Sequence, residues 1–196
     1  MGLQVLRSNH LIGLLSGERQ LRLPPLSLVL GGAASGKSAF AEGLMDDLAR
    51  DKIYVATARA LDAEMQARIA QHQAVRDGKG WHLVEVPLDL AGALAVRGTG
   101  QVALVDCATL WLSNLMMAGQ DWQVAMDALL ARLDRAGAPV VIVSNEVGQG
   151  IVPDTPLGRQ FRNAHGAMNQ CLATQADMVV QVIAGLPHLL KGDRLW

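Results

Sequence analysis

Residues 28–44 read LVLGGAASGKSAFAEGL, and Gly31-x4-Gly36-Lys37-Ser38 within them completes the pattern GxxxxGK[ST]. The pattern works only where a buried strand turns into the N-terminus of a helix. There the glycines let backbone N–H groups point inward at phosphate oxygens, and the helix end adds its positive pole. The flanks meet that demand, with Ser27–Leu30 reading as a strand and Ala39–Met45 opening a helical pattern. Gly31, Gly32, Ala33, Ala34, Ser35, Gly36, Lys37 and Ser38 are therefore expected to cradle a nucleoside triphosphate. Lys37 should reach the β- and γ-phosphates, and the Ser38 hydroxyl should ligate Mg²⁺.

Further strands are expected at Ile53–Ala56, His82–Val86, Val102–Val105, Val140–Ser144 and Met178–Ile183. Helical patterns lie near Lys37–Arg50, Asp62–Ala74, Leu88–Val96, Trp122–Ala136 and Leu157–Thr174. Strands apolar on both faces and separated by helices predict an α/β fold, a mostly parallel central sheet with helices on both faces. One domain over 26–196 is the economical division. Residues 1–25 form an N-terminal extension of open order, whose pattern fits a strand pair turning at Ser16-Gly17 or an overlong start. Asp106 ends the apolar run QVALVD, where a P-loop protein carries the acidic partner of its Mg²⁺. Capping the next helix is its alternative role.

Lys and Arg number 17 against 18 Asp and Glu, so nothing in the charge favours a nucleic-acid partner. No apolar run approaches the ~18 residues of a membrane span. Cys107 and Cys171 lack metal or disulfide spacing and are expected as buried thiols of a cytoplasmic protein.

The segment DAEMQARIAQHQAVRDGKGW places His72 just past an apolar stripe, with Arg68 one turn back and Arg76 and Lys79 beyond. Nearby cations disfavour the imidazolium and leave a ring nitrogen free to attack phosphorus. An ordinary exposed histidine fits the same residues.

Four stretches in order, LVLGGAASGKSAFAE, YVATARALDAEMQARIAQH, ALVDCATLWLSNLM and VIVSNEVGQGIVPDTPLGRQFRNAHGAMNQCLATQADMVVQVIAGLPHLLK, closely resemble the bifunctional adenosylcobinamide kinase/adenosylcobinamide-phosphate guanylyltransferase family of cobalamin biosynthesis. The resemblance implies a RecA-like P-loop NTPase fold. It implies that ATP or GTP phosphorylates adenosylcobinamide, and that GTP then donates GMP through a histidine to adenosylcobinamide phosphate, giving adenosylcobinamide-GDP. That histidine falls on His72, which with Lys37 forms the catalytic pair. Family nucleotide contacts fall on the loop, on Ala58, Arg59 and Ala60, on Gln73, Ala74, Val75 and Arg76, and on Glu85 and Asp106; the metal falls to Ser38 and Asp106. A homo-oligomer, with a trimer as first choice, is implied too, the corrinoid lying near a subunit boundary. Ala34 stands where the family loop carries arginine, Gln73 where arginine is common, and Asn163 where the family has aspartate.

Beyond these, Glu146 in SNEVGQGIVP reads equally as a metal or substrate ligand and as a tie within a glycine turn. Arg159 and Arg162 share a helix face, facing either substrate, a neighbouring subunit or solvent. Trp111 and Leu112 are expected to pack in the core or an interface. His10, His82, His165 and His188 form no metal pattern. Retention of only one activity, or a P-loop ATPase or regulatory module, are the competing functions.

Overall fold

In the computed structural model, residues 23–46, 48, 50–59, 78–96, 98, 100–134 and 137–196 are described. Seven strands form one sheet: β1 (Leu26–Gly31), β2 (Lys52–Ala56), β3 (Trp81–Glu85), β4 (Val102–Asp106), β5 (Val140–Asn145), β6 (Met178–Ile183) and β7 (Leu186–Lys191). Their order is β3-β2-β4-β5-β1-β6-β7, and only β7 runs antiparallel. The helices are α1 (Lys37–Gly43), α2 (Leu90–Ala95), α3 (Ala108–Met117), α4 (Trp122–Leu133) and α5 (Pro156–Gln175).

Side chains alternate across each strand, so the sheet divides its apolar residues between two cores. Leu28, Val105 and Ile142 pack with Trp111, Leu112, Met126, Leu129, Met168 and Leu172 under α3, α4 and α5. Val29, Leu104, Val143 and Val180 pack on the other face with Ala41 and Met45. The central strands carry the continuous apolar runs expected of parallel strands buried on both sides. Trp111 and Leu112 thus belong to the core; the Trp111 indole N–H donates to the Leu88 carbonyl at 2.7 Å.

Several expectations need correction. The first helix stops at Gly43 rather than Arg50, and the chain goes on in turns such as Met45 N–H to the Glu42 carbonyl. Glycine inside a helix costs about 1 kcal/mol against alanine, which favours an end at Gly43. α2 starts at Leu90, where the Asp89 carboxylate accepts from Gly92 N–H, rather than at Leu88. Helix α3 was not anticipated; Ala108, Trp111, Leu112 and Leu115 follow helical spacing, but Leu110, Met116 and Met117 add apolar residues off that stripe and blur the period. β7 was not anticipated either, since LPHLLK contains a proline and sits at a sheet edge, where proline is tolerated. Cys107 is buried as expected, but Cys171 is exposed on α5. No described helix is long and apolar enough to cross a membrane. The patterns at 1–22 and the helix read at Asp62–Ala74 lie outside the described residues.

Trp111→Phe removes indole volume from the core and the hydrogen bond to the Leu88 carbonyl, which among the described residues keeps only the Leu90 N–H as donor. Urea unfolding is expected to show a loss of about 2 kcal/mol with an unchanged m-value.

Candidate functional site

Parallel register aligns the carboxyl ends of five strands. Gly31 pairs with Asn145, Val143 with Asp106, Asp106 with Ala56, and Ala56 with Glu85. In open α/β sheets ligands bind along this edge.

The loop from Gly31 to Ser38 leaves β1 and enters α1 directly. Gly36 caps the helix at φ 92°, a left-handed conformation that only glycine adopts at little cost. A Cβ on Gly36 would lie 3.2 Å from Cα of Gly185, which belongs to the tight Ala184-Gly185 turn between β6 and β7. That turn holds the loop from outside, its Gly185 N–H donating to the Ser35 carbonyl at 2.8 Å. Both turn residues have positive φ, as a two-residue hairpin requires. Gly185 is a supporting residue that the motif did not reveal; its sequence signal, Ala-Gly between two apolar runs, is short and common.

Lys37 is 6% exposed, and its ammonium donates to the Gly32 carbonyl at 3.0 Å across the mouth of the loop. The Ser35 hydroxyl is buried and has no hydrogen-bond partner among the described residues. Ala34 sits exposed at the loop's tip with φ 54°. Asp106 is half-buried, and the Tyr54 hydroxyl donates to its Oδ2 at 2.8 Å. Tyr54 is itself wedged edge-on against Trp81. The hydroxyl occupies one carboxylate oxygen and orients the group, so Tyr54 is a second residue the motifs did not reveal. Behind Asp106, the Cys107 thiol is pushed up to about 11, chiefly by burial and then by the Asp106 charge, so it stays protonated and inert.

A buried polar network fixes the end of β5. Thr109 Oγ1 accepts from Asn145 through both its backbone N–H at 2.8 Å and its Nδ2 at 3.1 Å. Asn169 Nδ2 donates to the Asn145 carbonyl, and Ser144 Oγ donates to Asn169 Oδ1 at 2.7 Å. With two donors already on Thr109 Oγ1, its own proton points to His165 Nε2, 3.0 Å away. His165 is therefore a neutral imidazole accepting at Nε2, only 1% exposed, and burial lowers its pKa to about 4.

Glu146 follows this network, its carboxylate accepting from Gln149 and Gln181. Arg162 donates to the Gly148 carbonyl and Arg159 to those of Pro153 and Asp154, so both guanidiniums tie down the SNEVGQGIVPD segment. Glu85 is exposed on edge strand β3, four strand spacings or about 19 Å from β1. The structure thus brings the loop, Lys37, Ser38, Asp106 and Glu146 to one stretch of the edge and leaves Glu85 at its far end. Ala58 and Arg59 follow β2 on the same edge, Arg59 exposed. Ala60, His72, Gln73, Ala74, Val75 and Arg76 lie outside the described residues.

A phosphate loop followed by its helix, with one strand between it and the strand ending in an acidic residue, defines a P-loop nucleotide-binding protein of the RecA-like class. Two solved structures share this fold at 14% identity. One is the flagellar accessory protein FlaH from Methanocaldococcus jannaschii, TM-score 0.54, covering 89% of this chain and 81% of that one. The other is an ATPase from the type III secretion system of pathogenic bacteria, TM-score 0.55, covering 80% and 50%. Residues 27–190 match the family described as cobinamide kinase / cobinamide phosphate guanyltransferase, CobU. Curated relatives include the bifunctional adenosylcobalamin biosynthesis protein CobP of Pseudomonas aeruginosa, 41% identical over 86% of this chain and 98% of that protein. The corresponding CobU of Salmonella typhimurium is 38% identical over 84% and 98%. The chain belongs to this family.

The His165 assignment has a consequence in acid. The folded ring takes its proton near pH 4 and the unfolded one near 6.5, so acid favours unfolding across that window. Thermal melts should show a loss on the order of 2 kcal/mol from this residue as pH falls from about 7.5 to 4, and little above that window. His165→Asn should flatten that limb; an unchanged acid slope rejects the assignment.

Proposed function

We propose that this chain phosphorylates the hydroxyl of adenosylcobinamide with ATP or GTP, then takes GMP from GTP onto His72 and passes it to adenosylcobinamide phosphate. The observation that carries the reading is the family match over residues 27–190, which includes the phosphate loop, Asp106 and the segment holding His72. Relatives bearing the bifunctional name match across nearly their whole length.

The loop's chemistry fits the role. Its amides and Lys37 offer positive charge where phosphate charge develops, and phosphoryl and nucleotidyl transfer depend mainly on such positioning and neutralisation. Ser38 and Asp106 are hard oxygen donors suited to Mg²⁺, and no cluster of three or more His, Cys, Asp or Glu among the described residues would cage the metal alone. That fits a metal carried largely by substrate phosphates, which would neutralise the charge of the transferred group. We assign the remaining nucleotide contacts to Ala58, Arg59, Ala60, Gln73, Ala74, Val75, Arg76 and Glu85. A trimeric, cytoplasmic enzyme with the corrinoid near a subunit boundary completes the reading.

Storing GMP on histidine suits a two-step route, because the phosphoramidate conserves the transfer potential of GTP while the second substrate arrives. GTP labelled at the α-phosphate should leave acid-labile, alkali-stable label on the wild type and none on His72→Ala. An unlabelled wild type that still phosphorylates adenosylcobinamide reduces the function to the kinase. Nucleotide hydrolysis with neither activity favours an ATPase or regulatory module.

A further inference from the structure

A carboxylate without an assigned role spans the root of the phosphate loop. Glu146 follows Asn145, which pairs with Gly31 on β1. Its side chain meets Gln181 of β6, the residue in register with Leu30. Because β1 lies between β5 and β6, the Glu146–Gln181 contact crosses the end of the strand from which the loop springs.

The contacts orient the carboxylate without neutralising it. Gln181 Nε2 donates to Oε1 at 3.0 Å and to Oε2 at 2.9 Å, and Gln149 Nε2 donates to Oε1 at 2.8 Å. A carboxylate has about four accepting sites, so among the described residues Oε1 is filled while Oε2 keeps one. Both partners are uncharged carboxamides, and the residue is half-buried.

Strand alternation also sets which side of the loop each carboxylate occupies. Asp106 shares the face of Leu104 and Tyr54, the face under α1. Gln181 shares the face of Val179, the one covered by α5. Asp106 and Glu146 therefore flank the loop from opposite faces of the sheet. An in-line displacement needs two such sides, one for the metal and leaving group and one for the attacking oxygen.

We propose that Glu146 accepts the proton of the adenosylcobinamide hydroxyl during phosphoryl transfer, a role that rests on the kinase reading above. The hydroxyl donates to Oε2, and its oxygen forms the new bond to the γ-phosphorus. The bond from that phosphorus to the β–γ bridging oxygen breaks, and its electron pair leaves with the nucleoside diphosphate. The proton stays on Glu146 and passes to solvent with product release. Guanylyl transfer makes no such demand, because its acceptor is a phosphate monoester already largely ionised at pH 7.

The test compares wild type with Glu146→Gln in both half-reactions, the second started from supplied adenosylcobinamide phosphate. Phosphorylation should fall on the order of 10²–10⁴-fold in kcat with little change in the KM for nucleotide, and the acid limb of the wild-type pH–rate profile should vanish. GMP transfer should stay within about threefold of wild type. Gln181→Ala, which loosens the carboxylate but keeps it, should lower the kinase rate less and retain the acid limb. Glu146→Gln with a wild-type kinase rate overturns the proposal. So does an equal loss of both reactions, which would mark Glu146 as a structural tie. A wild type that phosphorylates no cobinamide overturns the kinase reading itself, and the proposal with it.

Discussion

Parallel pairing of β1 with β5, and of β5 with β4, is the constraint on which the site rests. The first pairing sets Gly31 beside Asn145, and the second sets Asp106 one strand further on, opposite Val143. A slip of one residue in either ladder would turn every side chain to the opposite face of the sheet. Asp106 would then leave the face of α1, and Gln181 could no longer meet Glu146. Register is held by the two apolar cores, which demand opposite halves of each strand.

Around that register several buried polar side chains are joined in hydrogen-bonded networks. Thr109 and Asn169 grip Asn145 by its N–H, its carbonyl and its side chain, and His165 and Ser144 hold those two in turn. Thr57 makes a similar reciprocal pair with Cys107, donating to its carbonyl at 2.7 Å and accepting from its N–H at 2.9 Å. Asn114 ties the Thr57 and Pro87 carbonyls. A buried polar group without a partner costs roughly 1–3 kcal/mol, so each network is stable only as a whole. The strand ends that carry chemistry are therefore stiff, while the groups facing substrate stay at the exposed edge.

The structural departures from expectation share a cause. Helix α3 escaped notice because apolar residues off its buried stripe blur the helical period, and β7 because a short proline-containing edge strand carries a weak pattern. Cys171 was placed inside by residue type alone, and it sits on the exposed side of α5 instead. Tyr54 and Gly185 act on the site through pairs distant in the chain: Tyr54 with Asp106, and Gly185 with Gly36 and Ser35. Local pattern carries no information about such pairs.

The phosphate loop, the parallel α/β class and the strand ends at Gly31 and Asp106 were legible from residue order, because glycine dihedrals, helix starts and apolar runs are local properties of the chain. Strand order, the face on which each carboxylate lies, and the partners of His165, Glu146 and the two helix arginines came only with folding. They depend on which distant residues two shared cores bring into contact, and a linear pattern sets the need for those cores without saying which surfaces meet in them.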